Sequence, residues 1–221
     1  MVSFFILSAH TKKIWTGKIL WKKKQSQGAE LEMYKEKPLQ RYNSYFPIHI
    51  VHYFDLVETT EALGLPIFKM IRSTLMTLMA RPGAKRKLKK IKPTPPILKP
   101  YGERLFSSPF TMKFLSFMAG DGFPCLIPFV QCLTIDSGSI IFYAKSLGDN
   151  QQQIEENMEI AVFCLKTTLE SVLVRGKFTG FKSIYGIKVG VIDIDWVYNS
   201  MPPNSDQIYP EKALTPVTSF D

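Results

Sequence analysis

The chain has 221 residues, 45% of them hydrophobic, with 16 Phe and 9 Tyr, which is enough for one sizeable core or two small ones and excludes a disordered chain. Its net charge of +9 is uneven: residues 12–24 carry six basic residues and no acid, residues 85–99 carry seven and no acid, and the remainder is mildly acidic. Such patches fit a solvated face and a linker, or else a phosphate-bearing partner or an anionic membrane; without interleaved aromatics they do not read as a single-strand nucleic-acid binder.

In chain order, "FFILSA" and "KIWTGKILWKK" are rich in strand formers, with Gly17 inside the second. "GAELEMYKEK" has helical spacing. "FPIHIVHYFDLVE" is again β-branched and aromatic. Its histidines, His49 and His52, are three apart, so on a strand they face opposite sides and cannot share a metal. The opening "MVSFFILSA" lacks the basic start of a signal peptide and reads as a strand. No stretch reaches the roughly 18 apolar residues of a membrane span.

Residues 57–80 read as helix, with Ile67, Ile71, Leu75, Leu78 and Met79 on one stripe. The stripe is expected to face the core; the basic tail behind it makes an interfacial membrane helix the competing reading. Pro66 fits the first turn and Pro82-Gly83 the end. "AKRKLKKIKPTPPILKPYGE" then reads as an extended linker, because Pro93, Pro95, Pro96 and Pro100 interrupt regular structure.

A run of strands follows. "MKFLSFMAG" turns at Asp121-Gly122 into "CLIPFVQCLTI", and "DSGS" turns into "IIFYAK". "NQQQIEENME" reads as a short helix, and "IAVFCLK", "LESVLVRGKFTGF" and "IKVGVIDIDWVYN" as three more strands. Five or six strands with one small helix predict a closed or partly closed barrel. The three cysteines, Cys125, Cys132 and Cys164, form no CxxC pair and lie in apolar segments, as buried thiols of a reduced, cytoplasmic chain do. The histidines all precede this region, so it offers no histidine for acid–base catalysis. The loop "VYNSMPPNSDQIYPEK", with Pro202-Pro203, either covers a pocket or closes a sheet edge.

Four stretches carry a resemblance. "DGFPCLIPFV", "GSIIFYAKS", "QIEENMEIAVF" and "SVLVRGKF", in that order, resemble the hairpin, strand, helix–strand and strand motifs of the FMN-binding split-barrel superfamily, the pyridoxamine 5'-phosphate oxidase-like proteins, over residues 110–197. The resemblance implies a mainly β protein with helices (α+β): a split β-barrel of the FMN-binding type plus a helical and strand-containing N-terminal region. It divides the chain into a partial split-barrel-like segment at 1–57, a helix and basic stretch at 58–92, a Pro-rich linker at 93–109 and the barrel at 110–221. The first segment carries an echo of the barrel's closing strands, "TGKILWKK" matching "RGKFTGFK", as in a truncated tandem of two barrels.

The same resemblance implies FMN as cofactor, a homodimer with the flavin at its interface, and redox transfer to an unknown small-molecule substrate. The flavin ring is then expected beside Pro128, Phe129, Val130 and Gln131, with Lys145, Ser146 and Arg175 near the phosphate. Where the family's oxidases place a Ser-Arg-Lys cluster, this chain has Gly148, Asp149 and Asn150. A related deazaflavin, or no cofactor at all, is therefore the alternative, in a non-catalytic ligand-binding or structural relative. No metal is expected, and neither nucleic acid nor a membrane surface is the expected partner.

Overall fold

The computed structural model describes residues 1–8, 10–37, 48–88, 96–168, 170–200 and 206–211. Part of the basic stretch (89–92), the prolines at 93 and 95, and Pro202-Pro203 lie outside the described residues. The fold class is α+β and mostly strand, as expected, in two sheets.

The first sheet is built from β1 (Val2–Ser8), β2 (Lys13–Gln25) and β3 (Val51–Thr59) in the order β1-β2-β3, all antiparallel, with a short β4 (Leu63–Gly64) continuing along β2. Helix α1 (Ala29–Lys35) sits between β2 and β3. Glu30 and Glu32 in its first turn and Lys35 in its last complement its dipole.

The second sheet comprises β5 (Met112–Met118), β6 (Pro124–Pro128), β7 (Cys132–Thr134), β8 (Ser139–Tyr143), β9 (Glu159–Leu165), β10 (Ser171–Ile184), β11 (Ile187–Asn199) and β12 (Asp206–Tyr209). Its order is β6-β5-β9-β10-β11-β8-β7, with β12 on β11. The expected single strand "CLIPFVQCLTI" is thus two strands, and they occupy opposite edges of the sheet. Only Phe129–Gln131 joins them, a link that spans at most about 14 Å. The sheet therefore rolls until its edges nearly meet, yet no β6–β7 ladder closes it. Phe129, at φ +61, makes the sharp turn at this seam.

Inside the roll lies the main core, including Leu115, Phe117, Phe142, Ile160, Val174, Phe178 and Ile192. Helix α3 (Pro100–Ser107) adds Leu105 and Phe106 to it. The sequence predicts an extended linker there. Pro100 instead opens a helix, because its missing N–H costs nothing in the first turn. Two further outcomes are local. The expected hairpin loop at Asp121-Gly122 is present, running Ala119–Phe123, with Gly122 at φ +80 donating to Ala119 O at 3.0 Å. The short helix lies earlier than "NQQQIEENME" suggests: it is a 3₁₀ segment, Ala144–Gln153, kinked at Gly148 (φ 59).

Helix α2 (Ile67–Lys87) departs most from expectation. It does not stop at Pro82-Gly83. Gly83 brings the helix so close to β10–β11 that a Cβ there would lie 2.4 Å from Tyr185 and 2.6 Å from Ile184. Ala80 and Ala84 pack beside it on Ile135, Ile141, Val189 and Val191. That packing carries the helix past the bond that Pro82 cannot make. The buried face is accordingly small or hydroxylic: Ser73, Thr77, Ala80, Gly83 and Ala84. The apolar stripe expected to face the core, Ile67, Ile71, Leu75, Leu78 and Met79, faces outward. Thr77 explains how a polar residue serves as the buried side: its Oγ1 donates to Ser73 O at 2.8 Å.

Candidate functional site

Strand β5 alternates strictly. Lys113, Leu115 and Phe117 point into the roll, while Phe114 points out. On that outer face β1 docks: the Phe5 ring lies 5.3 Å from Phe114 and 5.6 Å, edge-on, from Phe129. Ser3 Oγ donates to Pro124 O. The N-terminal sheet thus covers β6, which leads into Pro128–Gln131, where the resemblance places the flavin ring.

Between the two sheets an open cleft of about 420 Å³ remains, lined by Ser3, Gly17, Lys18, Glu58, Asp121 and Cys125 among others. Lys18 Nζ stands 2.9 Å from Asp121 Oδ2 and 3.0 Å from Glu58 Oε2, tying the sheets together. The hydrogen bond to Asp121, then that to Glu58, pushes the Lys18 pKa up to about 12. Lys18, followed by the Phe123 N–H, holds the Asp121 carboxyl below its ordinary value. Gly17 is required by close approach, since a Cβ there would sit 2.3 Å from Glu58 O. Among the described residues that line the cleft, the one ammonium is shared by two carboxylates, so the three groups together carry one negative charge.

A second, smaller pocket of about 120 Å³ lies where the first turns of α2 cover β6 and the 3₁₀ segment. Pro66, Lys69, Ser73, Pro128, Phe129 and Ser146 are among its lining. Ser146 Oγ donates to Tyr143 O at 2.5 Å. Ser73 Oγ is buried without a hydrogen-bond partner among the described residues.

The residues singled out in the sequence are dispersed. Pro128 and Phe129 reach the small pocket with Ser146. Val130 is fully buried in the core. Gln131 is buried too: its Oε1 accepts from Lys113 Nζ at 3.1 Å, and its carbonyl accepts from Thr77 Oγ1 at 3.3 Å. Lys145 is exposed and does not line the pocket with Ser146. Arg175 is exposed on β10, 3.5 Å from Asp195 and over the Trp196 ring. His52 accepts from Trp21 Nε1 at 3.1 Å. Among the described residues, no three His, Cys, Asp or Glu side chains gather as metal ligands.

Three residues outside the expected site matter here. Lys18 and Lys69 bring the positive charge into the cleft and the small pocket. Lys113 is wholly buried, donating to Ser108 O at 2.7 Å and to Gln131, and burial pushes its pKa down. It shares the inward parity of Leu115 and Phe117, a signal that was legible in the alternation.

No protein-family model and no curated protein matches the chain. Among solved structures it is similar to HupZ of Group A Streptococcus, at 15% identity and a TM-score of 0.42, over 49% of this chain and 98% of that one. It is also similar to a candidate pyridoxamine 5'-phosphate oxidase from Lactobacillus delbrueckii, at 16% identity and a TM-score of 0.38, over 45% of this chain and 92% of that one. Among the described residues, no helix is long and apolar enough to cross a membrane.

Proposed function

We propose that this chain is a non-catalytic, ligand-binding relative of the FMN-binding split barrels, with its own N-terminal strand and helix lying in the flavin groove. One observation carries the reading. Phe5 against Phe114 and Phe129, with α2 over Pro128 and Ser146, leaves about 120 Å³ beside the strand expected to pass the ring. Ligand pockets of this kind usually need at least about 300 Å³.

The residues present do not fit FMN in the larger cleft either. A phosphate dianion needs convergent positive charge or N–H donors. Lys18 is already held by Asp121 and Glu58. Hydroxyls and amides from Ser3, Thr16, Thr60, Asn150 and Gln153 suit a small, neutral, polar molecule instead. In this reading the first sheet is the remnant of a second barrel, and a homodimer is the arrangement the resemblance implies.

The test is direct. The purified protein is expected to be colourless, and FMN fluorescence is expected to stay unquenched during titration to tens of micromolar. A yellow protein, or quenching at micromolar FMN, restores the flavin-dependent oxidoreductase. Light scattering on the same sample reports whether two copies pair.

A further inference from the structure

Helix α2 carries two signals on its outward side. The first is apolar. Ile67, Phe68, Ile71, Leu75, Leu78 and Met79 project from successive turns; Phe68 is 89% and Ile71 60% exposed. Six large side chains on one stripe exceed the scattered apolar residues of an ordinary surface. The stripe is not left over from core packing, because Ser73, Thr77, Ala80, Gly83 and Ala84 already serve that purpose.

The second signal is charge. No acidic residue occurs between Glu61 and Glu103. On the helix itself, Arg72 flanks the stripe, and Lys85, Arg86 and Lys87 stand exposed at its C-terminal end. Lys85 falls five turns after Ile67, in line with the stripe, since eighteen residues complete five turns.

We propose that α2 is an interfacial anchor: its apolar stripe lies in the headgroup region of an anionic lipid surface, and its basic end binds the lipid phosphates and carboxylates. Apolar area and basic charge are the two terms that bind such helices, and together they hold where either alone is weak. A second copy of this chain fits the stripe less well. Two α2 helices face to face bring only like charges together, with no carboxylate on either to neutralise them. The proposal is independent of what the cleft binds, because α2 meets the sheet through its opposite face.

Co-sedimentation of the full chain with vesicles tests it. Binding is expected to phosphatidylcholine vesicles containing 30% phosphatidylserine, with weak or no binding to pure phosphatidylcholine, and to fall steeply as salt rises from 0.05 to 0.5 M. Lys85→Gln with Arg86→Gln is expected to weaken binding about 20- to 30-fold, from roughly fivefold per charge. Phe68→Asp with Ile71→Asp is expected to abolish it while the circular dichroism stays that of the parent, since both side chains are exposed. Absence of binding, or equal binding to both vesicles, overturns the proposal. So does a dimer in solution that the Phe68→Asp, Ile71→Asp variant splits, because the stripe would then belong to a second copy.

Discussion

The strands β1-β2-β3 and β9-β10-β11 follow the same plan with different support. Each is an antiparallel triplet with a Gly-Lys pair in its middle strand. Gly17 stands opposite Phe4 and Thr59, and Gly176 opposite Ile160 and Ile194. A register shift falls between Lys18 and Ile19 in one and between Arg175 and Gly176 in the other, and each lysine pairs with a glutamate on a neighbouring strand: Lys18 with Glu58 and Lys177 with Glu159. Beyond this they diverge. β11 is covered along its outer edge by β8 and packs on the main core. Among the described residues β3 pairs only with β2, and Leu20, Trp21, Phe54, Leu56 and Val57 remain exposed. Equal backbone plans with unequal burial lead to the expectation that stability follows what covers a strand triplet rather than the triplet itself.

Alanine at the two glycines makes the sharpest contrast. A Cβ at Gly176 would lie 2.0 Å from Asp193 O, inside a packed sheet that cannot yield. Gly176→Ala is expected to cost about 4 kcal/mol or more in urea unfolding. Gly17→Ala meets Glu58 O at 2.3 Å, but exposed β3 can shift, so about 1–2 kcal/mol is expected, with faster hydrogen exchange confined to the first sheet. Equal losses would break the comparison. Phenylalanine truncation comes next. Phe178, buried beside Phe142 and Phe181, is expected to cost about 3–5 kcal/mol as Phe178→Ala. Phe54→Ala, on the open triplet, is expected to stay within about 0.5 kcal/mol.

The strands of both triplets were legible in the sequence because β-branched and aromatic runs bounded by turns leave little choice. The facing of α2 was not. Its most apolar stripe suggested a core contact, whereas the sheet surface formed by Ile141, Val189 and Val191 accepts only a helix that approaches closely, hence Ala80, Gly83 and Ala84. Periodicity locates a stripe but does not say which neighbour has room for it. The site suffered for a related reason. Pro128 and Ser146 line one small pocket, which Lys69 enters and Phe5 borders through Phe129, while Lys18 reaches the separate cleft; all three come from more than 50 residues away in sequence, across contacts no local pattern announces.

Lys113→Ala is expected to cost about 2–4 kcal/mol, since it removes a packed stem and strands Gln131 Oε1, while Ser108 O keeps its bond from Thr111 Oγ1. Its charge also leaves a pH signature. With the folded pKa lowered, the penalty is complete below that value and is relieved as pH rises through it towards the ordinary 10.5, so stability rises across that window. Lys113→Met is expected to remove that slope. The smallest effect belongs to the tie between the triplets. Asp121, its pKa lowered, supports docking above its ordinary 3.8 and loses that support as pH falls through the lowered value. Lys18 supports it up to 10.5 and loses that support as pH rises through about 12. Between pH 5 and 9 docking is expected to be flat, and Lys18→Met to raise hydrogen exchange of β1 only a few-fold.

The three-residue link Phe129–Gln131 also sets an order in time. β5–β6, β7–β8 and β10–β11 pair with near neighbours and can form early. The roll is complete only when β9 reaches β5 and β11 reaches β8, closures of some 50 residues each, which place folding among the slow, non-local topologies of milliseconds to seconds. Until then the edges of β5 and β8 that β9 and β11 come to occupy are bare, each a template for a strand from another molecule. Refolding yield is therefore expected to fall with protein concentration even where the finished fold is stable.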